Sequence, residues 1–181
     1  MKTILLGVTG SISAYKAADI ANQLTKDGYS VKVILTKGGA QFITALTLQT
    51  LTKNKVYTDM FALDEPESVA HIALAEEADL VLVAPASADI LAKMANGIAD
   101  DMLSSTLLAC TGKPILLAPA MNTHMYENPA TQRNLQTLQN DGCRIIEPRE
   151  AKLACGTVGK GALATVETIV KAAEEALAIS N

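Results

Sequence analysis

Four segments concentrate side chains able to bind or react, and three of them directly follow an apolar run. The first is Gly7-Val8-Thr9-Gly10-Ser11-Ile12-Ser13. Glycine lets an anion approach the main chain, and a helix start offers unpaired N–H groups at the positive end of its dipole. Ser11 or Ser13 adds a hydroxyl for a phosphate oxygen, although a tight strand-to-helix turn with a serine cap accounts for the same residues. The spacing is Gly-x-x-Gly rather than Gly-x-Gly-x-x-Gly. Leu35-Thr36-Lys37 also stands where a dinucleotide fold places its ribose-binding acid. Both features argue against a nicotinamide cofactor.

The second segment is Pro85-Ala86-Ser87-Ala88-Asp89-Ile90, where Ser87 suits a phosphate and Asp89 suits either a helix cap or a ligand hydroxyl. The third is Pro119-Ala120-Met121-Asn122-Thr123-His124-Met125-Tyr126. Asn122 carries donors and an acceptor, which fits a carboxylate or the polar edge of a ring. Its methionines are more often core filler than ligand contacts. The fourth is Ala154-Cys155-Gly156-Thr157-Val158-Gly159-Lys160-Gly161. A thiol among glycines is unlike a core cysteine, and glycine lets such a loop close over a site. Cys110 and Cys143 lie in apolar contexts and read as buried and inert. His71, in Val69-Ala70-His71-Ile72-Ala73-Leu74, is a lone imidazole on an apolar segment, a pattern more often structural than catalytic. Neither the two histidines nor the three cysteines show metal-ligand spacing.

The elements that position these residues follow from hydrophobic pattern. Thr3–Val8, Ser30–Leu35, Leu80–Ala84, Pro114–Ala118 and Arg144–Ile146 read as buried parallel strands, because continuous apolar runs mark strands covered on both faces. Ser11–Lys26, Ala130–Gln139 and Thr165–Ala178 carry helical periodicity. Alternating strand and helix imply an α/β fold: a doubly wound, mainly parallel sheet of Rossmann or flavodoxin type, helices on both faces, in a single domain over 1–181. The stretch from Lys53 to Glu67 reads as an irregular loop, and Glu147–Leu163 as a flexible flap without a period. Ligands of open α/β sheets bind beyond the carboxyl ends of the strands. Gly7–Tyr15, Thr36–Phe42, Pro85–Ile90 and Pro119–Tyr126 all fall there.

Composition narrows the function classes. The net charge of −4 without a basic run gives nucleic-acid binding no driver. No apolar stretch is long enough to cross a membrane, and the first residues form a strand instead of a signal peptide. Three cysteines, an odd and low count, suit a reducing cytoplasm.

The blocks GVTGSISAYKA, HIALAEEADLVLVAPASADILAKMANGIADDML, APAMNTHMYENPATQRN and LACGTVGKGALA occur in this order from Gly7 to about Ala164. Together they resemble the homo-oligomeric flavin-containing cysteine decarboxylase family; the last three blocks are the specific ones. The resemblance implies FMN as cofactor. Gly10, Ser11 and Ile12 would lie near its phosphate, Thr36, Lys37, Gly38 and Phe42 along it. Ser87, Ala88, Asp89 and Ile90 would form a phosphate and ribose loop, and Ala120 would face the ring. It further implies His71 as active-site base and Asn122 as holder of the substrate carboxylate. Lys152, Ala154 and Cys155 would belong to a substrate flap, with Cys155 as proton donor. Plant and animal members read Ser-Ala-Asn-Thr where this chain has Ser87-Ala88-Asp89-Ile90.

The implied activity is decarboxylation of 4'-phosphopantothenoylcysteine to 4'-phosphopantetheine in coenzyme A biosynthesis. The thiol end is oxidised to a thioaldehyde, CO2 leaves to give an enethiolate, and reduction restores the redox balance. Relatives that decarboxylate a peptide's C-terminal cysteine stop at the enethiol and lack the flap cysteine, so Cys155 favours the coenzyme A reaction. Regulatory, non-catalytic relatives carry acidic tails that this sequence does not show. The resemblance also implies a homotrimer or a dodecamer of trimers. The chain stops at Asn181, so a separate synthetase is expected upstream.

Overall fold

The computed structural model describes residues 1–62, 69–152 and 158–179, without the side chain of Lys152. Its centre is β1 (Thr3–Val8). Ile4, Leu6 and Val8 point to one face of the sheet and Leu5 to the other, and all are buried. A strand apolar on both faces needs a helical layer on each side, and the chain supplies both.

After β1, a short 3-10 turn (Ile12–Tyr15) leads into α1 (Lys16–Lys26), and β2 (Ser30–Leu35) returns parallel to β1. A second 3-10 turn (Gly39–Gln41), α2 (Ala45–Thr52) and β3 (Val56–Tyr57) follow. The chain then crosses to the opposite side of β1. It runs through α3 (Ala70–Glu77), β4 (Leu80–Ala86), α4 (Ala88–Ala95) and α5 (Met102–Ala109). Next come β5 (Ile115–Pro119), α6 (Thr123–Glu127), α7 (Pro129–Asn140) and β6 (Arg144–Ile145). The sheet order is β3-β2-β1-β4-β5-β6, parallel throughout. Both edge strands are two residues long, which limits the open hydrogen-bonding edge. A separate antiparallel hairpin, β7 (Arg149–Lys152) and β8 (Val158–Ala162), precedes α8 (Val166–Ile179).

The helices divide between the faces by their own stripes. Ala17, Ile20 and Leu24 of α1 and Ile169, Ala173 and Leu177 of α8 pack on the Ile4–Leu6–Val8 face. Leu74, Leu91, Leu103, Leu107, Leu135 and Leu138, from α3, α4, α5 and α7, cover the face of Leu5, Val81, Val83 and Leu117. Each fully buried leucine contributes about 1.5–3 kcal/mol of transfer free energy. No helix among the described residues is long and apolar enough to cross a membrane.

Three sequence readings are corrected. The stretch from Lys53 to Glu67 contributes β3, too short to leave a periodic trace. Glu147–Leu163 is largely the β7–β8 hairpin. Its second strand, Val-Gly-Lys-Gly-Ala, lacks alternating apolar residues because the hairpin lies outside the two core layers. Cys110 and Cys143 are half-buried rather than fully buried. Desolvation pushes both thiols up, with Lys113 opposing it at Cys110 and Asp141 reinforcing it at Cys143, which disfavours the reactive thiolate.

Candidate functional site

The strand order reverses between β1 and β4, which opens a crevice beyond their carboxyl ends. The loops flanking it are stitched together by Thr9. Its buried hydroxyl donates to the Pro85 carbonyl at 2.6 Å and accepts the Ser87 amide at 2.9 Å. Sequence reasoning passed over Thr9, since nothing local announces a bond to a carbonyl 76 positions away.

The loops after β1 and β2 meet main chain to main chain. A Cβ on Gly10 would lie 3.1 Å from Gly38 Cα, and one on Gly38 would lie 3.2 Å from Gly10 Cα. A side chain at either position would crowd this approach, so at this point of the crevice the two loops meet through their backbones.

Two adjoining clefts share Gly10, Ser87, Ala88 and Met125. One, of about 550 Å3, extends past Thr36, Lys37, Gly38, Asp89 and Ile90. The other, of about 490 Å3, extends past Ser11, Ile12, Phe42, Ala120 and Asn122. All twelve cofactor positions that the resemblance implies, and Asn122, thus line these two adjoining clefts.

Local structure fixes the polar groups. Ser11 caps the first 3-10 turn, its Oγ accepting the Ser13 amide at 3.2 Å. Ser87 caps α4, accepting the Ile90 amide at 3.3 Å. Both hydroxyls keep a proton to donate, and both sit at helical N-termini, where an anion is favoured. Asp89 is not the cap. It sits in the first turn of α4, 72% exposed in its side chain, and pairs with Lys93 at 3.2 Å. Lys93 reaches Asp100 at 3.2 Å as well. Desolvation lowers the Lys93 pKa, but hydrogen bonds to Asp100 and Asp89 outweigh it and raise the ammonium above its usual value. The same bond to Lys93 holds the Asp100 carboxyl below its usual value. This acid–base strap was not read from the sequence.

Asn122 Oδ1 accepts the His124 amide at 2.9 Å and so caps α6. Of the amide's two ends, the donor end suits a carboxylate. The hairpin docks beside it: a Cβ on Gly159 would fall 2.7 Å from Thr123 Oγ1. Lys160 pairs with Glu147 at 2.6 Å and lies 5.6 Å from the Tyr126 ring centre. The half-buried His71 lies in the first turn of α3 and lines neither cleft. It makes no side-chain hydrogen bond or ion pair among the described residues. Ala154, Cys155 and the Lys152 side chain lie outside the described residues.

The space suits a flat ring bearing a phosphate. Gly10 and Gly38 bring main chain to its wall, Ala88 and Ala120 leave room against a ring face, and hydroxyls stand at two helical N-termini. A family profile described as Flavoprotein matches residues 1–178. The chain belongs to this flavoprotein family.

Relatives agree with the cysteine decarboxylase blocks. The chain is 53% identical over 177 residues, 97% of its length, to a "Probable phosphopantothenoylcysteine decarboxylase" of Streptococcus mutans, of which it covers 99%. It is 50% identical over 174 residues, 96% of its length, to the coenzyme A biosynthesis bifunctional protein CoaBC of Bacillus subtilis, and spans 43% of that protein. Among solved structures, a PPC decarboxylase mutant complexed with pantothenoylaminoethenethiol superposes with a TM-score of 0.87. Identity is 31%, over 96% of this chain and 97% of the other. The FMN-dependent cysteine decarboxylase SpaF gives a TM-score of 0.86 at 32% identity, over 99% of this chain and 97% of the other.

Proposed function

We propose that the protein decarboxylates 4'-phosphopantothenoylcysteine to 4'-phosphopantetheine in coenzyme A biosynthesis, with FMN as cofactor and the whole chain, 1–181, as one FMN-binding domain. The observation that carries this reading is the end-to-end match to a relative bearing that name. FMN, when bound, would supply reversible two-electron chemistry at the thiol-bearing carbon.

The chain's residues bind, orient and move protons. Ser11 and Ser87, with the N–H groups they cap, hold the FMN phosphate, and Gly10 and Ile12 flank it. Thr36, Lys37, Gly38 and Phe42 line the cofactor, Ala88, Asp89 and Ile90 complete its loop, and Ala120 faces the ring. The Asn122 amide donates to the substrate carboxylate and orients it for departure. His71 acts as the base toward the thiol proton. Lys152, Ala154 and Cys155 cover the substrate, and the Cys155 thiol returns a proton to the carbon that lost CO2. Because His71 lines neither cleft of its own chain, a second copy supplies it, within a homotrimer or a dodecamer of trimers. Exposed Ile12, Tyr15 and Phe42 at the cleft rim give that copy an apolar surface to cover. The setting is the cytoplasm, with a separate synthetase supplying the substrate.

Mass spectrometry of 4'-phosphopantothenoylcysteine after incubation tests the reading. Loss of CO2 with no other mass change is expected. Loss of CO2 and two hydrogens would assign the protein to the enethiol-forming reaction, and an unchanged mass would overturn the proposal.

A further inference from the structure

The hairpin carries two cations whose side chains are described, and they differ in one respect. Lys160 is paired with Glu147. Arg149 faces no carboxylate among the described residues; its Nε donates to the Leu163 carbonyl at 2.9 Å. That bond uses the back of the guanidinium and fixes its plane, so the two terminal nitrogens form a fork for a bidentate acceptor. Arg149 also lines the cleft of Asn122, on the wall that β7 and β8 contribute through Ala151, Gly161 and Ala162. Lys16, half-buried at the start of α1, lines the same cleft and likewise faces no carboxylate. An oriented guanidinium and an ammonium without counter-charges, on a cleft that already has a donor for a carboxylate, call for a second anion.

We infer that Arg149, with Lys16 in support, binds the phosphomonoester at the far end of the substrate and so sets the preference for phosphorylated over unphosphorylated cysteine amides. The inference rests on the proposed decarboxylation. FMN carries a phosphomonoester too, but the turns capped by Ser11 and Ser87 serve that one. A guanidinium fork matches the paired oxygens of a phosphate, and a charge-assisted pair of this kind changes affinity by roughly tenfold to a hundredfold.

The test compares 4'-phosphopantothenoylcysteine with its dephosphorylated form on the flavin-loaded protein, unaltered and as Arg149→Met and Arg149→Lys. Arg149→Met is expected to raise KM for the phosphorylated substrate about tenfold or more. KM for the dephosphorylated form, kcat and the affinity for FMN stay unchanged, and Arg149→Lys recovers part of the loss. Equal increases in both KM values would overturn the inference, because the side chain would then be shaping the hairpin. A fall in FMN affinity with an unchanged KM ratio would assign the guanidinium to the cofactor's phosphate and overturn it equally. No turnover of either compound by the unaltered flavin-loaded protein would remove the decarboxylase reading, and this inference with it.

Discussion

The Met121 amide donates to the Gly161 carbonyl at 2.9 Å, and a Cβ on Gly161 would lie 2.4 Å from the Met121 oxygen. The hairpin is thus tied to the loop that presents Asn122, by a contact only glycine permits. Gly161 also has a φ of +146°, which side chains rarely adopt. Gly161→Ala should displace the hairpin from the loop. We expect KM to rise at least several-fold while FMN stays bound and the melting temperature changes little, since the hairpin lies outside the core. Unchanged kinetics would show that the hairpin does not shape the substrate site.

Gly38 and Gly39 are adjacent and should fail differently. A Cβ on Gly38 pushes against the Gly10 loop, whereas one on Gly39 would lie 2.6 Å from the Val8 carbonyl oxygen inside the fold. Gly38→Ala should weaken FMN binding about tenfold with near-normal stability. Gly39→Ala should cost about 1–3 kcal/mol of stability, read by denaturant unfolding of the apoprotein. The reverse pattern would contradict the main-chain floor.

His71→Asn should retain flavin, with an unaltered absorption spectrum, and lose CO2 release by a factor of about a hundred or more. Near-normal turnover would make His71 a structural residue.

Cys155→Ser should lose CO2 yet stall before the final protonation, because a hydroxyl is a far weaker acid than a thiol with pKa near 8.5. Single-turnover anaerobic spectra are expected to show flavin that stays reduced, with a product two hydrogens lighter than normal. Flavin that returns to its oxidised spectrum with normal product would remove the proton-donor role.

The Lys93 strap makes a prediction about pH. The Asp100 carboxyl is held below its ordinary value, so its contribution to stability is present above about pH 4 and fades as pH falls through the depressed value. The raised Lys93 value means its contribution is present below pH 10 or so and lost at higher pH. Asp100→Asn should therefore lower the melting temperature by a few degrees at most near neutrality, and by nothing in strong acid. A difference that grew as pH fell would reverse the sign and refute the strap.

Much of this arrangement was legible in the sequence because sheet burial leaves a trace. Leu80–Ala86 and Ile115–Pro119 were read within two residues of their bounds, since both faces of each strand are covered and every position must be apolar. The cleft loops were legible for the complementary reason that polar and glycine residues interrupt those runs at their carboxyl ends. Thr9, Lys93 and Arg149 left no such trace. Each acts through a partner far along the chain or in the next element, and a single threonine, lysine or arginine looks alike whether it is a strut or a surface residue. The sequence left the role of Asp89 open between cap and ligand contact because aspartate and serine are equally good caps, and only the backbone at Ser87 decides between them.

The glycine-on-glycine floor has a consequence for altering this protein's chemistry. Where the two main chains meet there is no side chain to exchange, so that part of the cleft is set by loop geometry and is closed to gradual change by point substitution. The hairpin is the opposite case, a small two-stranded unit outside both core layers, with side chains that can be swapped without disturbing either of them. New acyl specificity should therefore emerge from substitutions in the hairpin, while libraries directed at the floor return proteins that have lost the cofactor.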